Sequence, residues 1–147
     1  MNRLITLSGS VPLDEIHFRS ARLHESLSEN STGTICLESD SASLQADDFL
    51  GQSLCIAFET RDKNQRYFDG VVVEMEQVSQ ASGGRCAYRL EVKSWTWLLS
   101  KNQEFRVYQN KTVPAIVAEV IARHTHPSVR FSDRTLGAKR VWEYVVQ

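Results

Sequence analysis

The sequence has no apolar run near the ~20 residues that a membrane-spanning helix needs. Residues 1–7 are interrupted by polar side chains too early for a signal peptide, so the chain is expected to fold in the cytoplasm. An excess of charge of one sign is also lacking. Against 17 Lys and Arg stand 18 Asp and Glu, a net charge of -1, so no whole-chain field draws the protein onto nucleic acid or anionic lipid. Cysteine is scarce. Cys36, Cys55 and Cys86 show none of the close spacing of zinc or redox motifs, and each sits in an alternating apolar segment, where a thiol is read as a small buried hydrophobe. With only seven Gly and three Pro, collagen-like and low-complexity classes are excluded. What remains is a globular chain of 147 residues, 41% hydrophobic, long enough for one domain or for one and part of another.

Much of the first two thirds reads in period two. Leu54, Ile56 and Phe58 share one face of a strand, and a polar turn at 61–65 leads into Arg66, Tyr67 and Phe68, which makes a hairpin. The next strand places Val71, Val73 and Met75 on one side and Val72, Glu74 and Glu76 on the other, with Gly70 marking a bulge or a close backbone approach. A turn at 80–84 follows. The return strand alternates Cys86, Tyr88, Leu90 and Val92 with Ala87, Arg89, Glu91 and Lys93. Upstream, Ala21, Leu23 and Leu27 alternate with Arg22, His24 and Ser26, and residues 34–38 form another strand after a polar turn. Residues 47–51 read as one helical turn ended by Gly51. Five or six antiparallel strands before residue 95 would expose unpaired edges, which a small barrel or split barrel minimises.

At Trp95 the alternation breaks, and Trp95, Leu98 and Leu99 share a face only on a helix. Thr112 caps a longer helix with Pro114 in its first turn and an apolar stripe of Val113, Ile116, Val117, Val120 and Ile121. Short strands are expected near 129–131 and over 141–146. The fold class is therefore mainly β with minor α: an antiparallel small barrel or split barrel, followed by the start of an α+β second domain.

No reactive set assembles. His124 and His126 at a helix end point in different directions and lack further ligands, and His17 and His24 have no activated nucleophile beside them. Glu74 and Glu76 mark a solvent face, and Ser82, Gly83 and Gly84 form a hairpin turn rather than a phosphate loop. Trp95, Trp97, Phe105 and Tyr108 near Lys101, Arg106 and Lys111 could be a stacking platform for single-stranded nucleic acid, but at this spacing they read better as core. No catalytic residue, metal or cofactor is expected.

Three segments carry a family resemblance: Tyr67, Phe68 and Gly70 around Asp69; Trp95, Trp97, Leu98 and Leu99; and Gln109, Asn110, Lys111, Thr112, Val113 and Pro114 with Ile116. Glu25, Leu27 and Ser28, and Leu50 with Gly51, add to it. Together they resemble the amino-terminal hub region of the type VI secretion spike protein, the VgrG family, which is similar to contractile phage tail hubs. The chain departs from the family pattern at Asp69, where a histidine is usual, and at 29–33, where an aromatic residue is usual.

The resemblance implies a tube-like β-barrel domain over 1–108 and the incomplete beginning of a second hub domain over 109–147, in a polypeptide that continues beyond this segment. It implies a non-enzymatic homotrimer in the full-length protein, adapting an Hcp-type tube to a needle, with baseplate components as further partners and effectors carried by regions beyond this segment. The fragment itself is expected to be monomeric. Neither nucleic acid binding nor stable membrane insertion by this region is implied, and the protein would be cytoplasmic during assembly and then injected. A contractile prophage tail hub is the close alternative, and a stand-alone nucleic-acid-binding barrel the distant one. The helix stripe predicts that Asp in place of Val117 or Val120 loosens the helix packing, read as a lowered melting temperature.

Overall fold

The computed structural model of the chain describes residues 5–40, 44–80, 85–124, 132–134 and 137–146. Contacts divide the chain into two compact units, Met1–Ser94 and Trp95–Gln147. In the first, β1 (Ile5–Gly9), β2 (Ile16–His24), β3 (Thr32–Ser39), β4 (Ser53–Glu59), β5 (Gln65–Gln80) and β6 (Cys86–Lys93) form one antiparallel sheet in the order β1-β4-β5-β6-β3-β2. β1 and β2 are its edges and do not pair. Their inward side chains Ile5, Leu7, Phe18 and Leu23 nevertheless pack on the same core as Ile35, Ile56, Phe68 and Leu90. A flat sheet could not bring both edges onto one core. The sheet is curled into a half-barrel, the mainly β, split-barrel architecture that alternation and edge avoidance lead one to expect.

Alternation is strict in β3 and β6. β3 buries Gly33, Ile35, Leu37 and Ser39, and β6 buries Cys86, Tyr88, Leu90 and Val92. Cys86 is a core thiol, but Cys36 and Cys55 sit on the alternate positions of β3 and β4 and are only half-buried, which corrects the expectation that all three are buried. Desolvation, reinforced by the Asp69 charge, pushes the Cys55 thiol pKa up.

β5 departs from the expected pattern in two respects. It is one continuous strand of 16 residues rather than a hairpin arm and a separate strand, and its inward face changes parity. The register with β6 shifts between Val72 and Glu74, so Val73 is an extra residue that turns the strand by one position. Val72 therefore joins the core with Phe68, and Met75 packs against it, whereas Val73 does not. Gly70 lies just before this bulge, and a Cβ there would fall 2.6 Å from the Lys93 carbonyl oxygen. The close approach of β5 and β6 thus requires glycine. Gly9, at φ 143°, ends β1 where a side chain would strike the Ser53 backbone.

Leu27 is 97% exposed in the turn after β2, not on the inward face that its spacing from Leu23 suggested. The turn bends at Ser28, whose φ is 67°. Residues 46–48 form a 3₁₀ turn followed by Gly51 at φ 78°, as expected. The turn expected at 80–84 and the strand near 129–131 fall on residues that, apart from Gln80, lie outside the described set.

The second unit contains α1 (Thr96–Leu99), β7 (Val107–Thr112), α2 (Val113–Arg123) and β8 (Val141–Val146), with β7 and β8 paired antiparallel. Thr112 caps α2 by accepting from the Ala115 N–H at 3.4 Å, and Pro114 lies in the first turn. The apolar stripe of α2 is only partly covered. Ile116, Val120 and Ile121 are half-buried, whereas Val113 and Val117 are exposed, so Asp at position 120 is expected to lower the melting temperature and Asp at 117 to change it little.

Arg66 on β5 bonds Glu25, just beyond β2, at 2.7 Å, although β6 and β3 lie between those strands in the sheet. This ion pair spans the curl, but both side chains are well exposed. Core burial rather than the bridge should dominate: Phe68→Ala is expected to cost about 3–5 kcal/mol in urea unfolding, and Arg66→Ala below about 1 kcal/mol.

Candidate assembly surfaces

The two free edges of the half-barrel differ in chemistry. β2 is bulged between Phe18 and Ser20 and carries Arg19, bonded to Glu38 at 2.8 Å, and His17, 3.3 Å from Asp40. Arg85 bonds the other oxygen of Asp40 at 2.7 Å, and that bond, with the one from His17, holds the Asp40 carboxyl below the usual carboxylate range. Bulges and charges of this kind discourage a new strand from pairing. β1 is straight in register with β4, and its outward residues Thr6 and Ser8 are neutral. Between the edges runs an apolar cleft lined by Ile5, Leu7, Leu13, Ile16 and Phe18, continuing to Ala21, Leu23 and Phe58.

The structure distributes the residues singled out in the sequence over both units. Gly70 is at the β5–β6 approach, and the others lie in the second unit. Trp95 and Trp97 are half-buried around α1, Leu98 is exposed, and Leu99 lines a small pocket with Tyr108 and Val120. Gln109, Asn110 and Lys111 lie on β7. Gln109 is exposed opposite Tyr144, and Asn110 adopts φ 52°, a left-handed conformation in which Asn is among the least penalised residues. Lys111 forms an ion pair with Glu119, which also holds Arg123. Pro114 and Ile116 are half-buried in α2. Trp95 to Leu99 and Gln109 to Ile116 thus sit in one unit.

Among the described residues no three His, Cys, Asp or Glu side chains group as metal ligands. His124 takes a hydrogen bond geometry with Asn102 at 3.0 Å, His24 lies 3.8 Å from Glu29, and His126 and residues 82–84 are outside the described set. Glu74 is exposed, and Glu76 pairs with Arg89. Of the rings read as a stacking platform, Tyr108 is 4% exposed and Trp97 is half-buried with Lys101 over it at 4.5 Å, whereas Phe105 is 83% exposed.

One property was hidden by the near-zero net charge. Residues 1–94 carry nine Lys and Arg against fourteen Asp and Glu, whereas residues 95–147 carry eight against four. The first unit is thus at -5 and the second at +4. The second also exposes Phe105, Val107, Tyr144 and Val146. Counting charge by segment rather than over the whole chain would have found this.

A curled antiparallel half-barrel with free edges followed by a small α+β unit has counterparts among known proteins. The model of the phage tail baseplate hub (GPD) family matches residues 24–147. The chain belongs to that family. This hub chain is 28% identical over 145 residues to the type VI secretion system spike protein VgrG1b of Pseudomonas aeruginosa and 26% identical over 147 residues to VgrG1a of the same organism. Those alignments cover 99% and 100% of this chain, but only 19% and 22% of the relatives, so it spans about a fifth of their length. In structure it is similar to the E. coli c3393 protein, a component of the type VI secretion system described as structurally similar to T4 bacteriophage tail proteins gp27 and gp5. The TM-score is 0.75 at 21% identity, over 97% of this hub chain and 38% of that one. If Trp97 serves packing, Trp97→Ala should destabilise by about 2 kcal/mol, roughly half the cost at a fully buried site, and oligothymidylate titrations of both proteins should show the same absence of binding.

Proposed function

We propose that this chain is the hub-forming part of a type VI secretion spike and works by matching surfaces, without catalysis. In this reading 1–108 is the tube-like domain and 109–147 opens a second hub domain. Three copies of the full-length protein form a ring that seats on an Hcp-type tube and carries a needle. The protein is assembled in the cytoplasm with baseplate components and is then ejected. The observation that carries the reading is the curled sheet with two unpaired edges in a chain of the baseplate hub family. Such a sheet is rigid, and an open edge lets it continue into a neighbouring sheet through main-chain hydrogen bonds. β1, the edge without bulge or charge, is the more suitable of the two. Gly70, Trp95, Trp97, Leu98, Leu99, Gln109, Asn110, Lys111, Pro114 and Ile116 are proposed as framework positions that hold these surfaces in place, not as contacts with substrate.

The test is genetic. Disruption of the gene in its native bacterium is expected to abolish release of the Hcp-type tube protein into the medium, and complementation with the full gene to restore it. Undiminished release would rule out the spike role. If the disruption instead abolishes contractile particles encoded by a prophage, the protein is a phage tail hub.

A further inference from the structure

We draw no further inference here: the strongest candidate, the apolar cleft between the free edges β1 and β2 of the first unit, is an unpartnered face in a chain that spans about a fifth of the length of its relatives, and nothing in the structure shows what covers it.

Discussion

The structure of the first unit depends on one constraint: a single sheet buries one face, and among the described residues this unit has no helical layer to bury it against. The sheet therefore supplies its own cover by curling. Phe68 on β5 lies so close to Gly33 on β3 that a Cβ at Gly33 would be 3.0 Å from the Phe68 ring, with β6 between the two strands. In a flat sheet, strands two apart lie about 9–10 Å from one another, and the curl is what closes that distance. The core of Ile35, Leu54, Ile56, Phe68, Leu90 and Val92 is the result, each side chain almost wholly removed from water. Burial on this scale, about 1.5–3 kcal/mol for each large side chain, sets the curvature, and the surface ion pairs follow it.

That division of labour leaves the outside free to differ between the units. The first presents an acidic surface with local pairs such as Arg19–Glu38 and Arg89–Glu76. The second is basic and leaves several apolar side chains in solvent. Toward one charged neighbour the two units therefore act with opposite sign, and added salt weakens the attraction of one and the repulsion of the other.

What could be read from the residues was what obeys a simple period. The alternation of β6, the capped start of α2 and the break at Trp95 are all visible as pattern. The half-barrel followed from counting strands and asking what becomes of their edges. What escaped was set by geometry without a periodic mark. Val73 inverts the inward face of β5 because one extra residue is looped out, and nothing in its side chain announces that. Leu27 continues the spacing of Ala21 and Leu23 but falls after the chain has turned, so the period outlasts the strand. β1 and β7 were not anticipated. Ile5 and Leu7 do alternate with Thr6 and Ser8, yet such a segment is too short for pattern alone to distinguish from a loop. Lys111 was noticed only as a neighbour of aromatic rings, since its meeting with Arg123 on Glu119 requires the fold.

The antiparallel order of the sheet has a further consequence. Five antiparallel steps connect β1 to β2, so the two edges run in opposite directions. A single strand placed in the seam would have to lie parallel to one edge and antiparallel to the other. Only an even number of added strands, such as a hairpin, could complete the ring with one kind of ladder throughout. The parity of the half-barrel therefore discriminates among insertions before any side chain is consulted: a lone strand can extend one edge, but uniform closure requires a visitor that comes and returns.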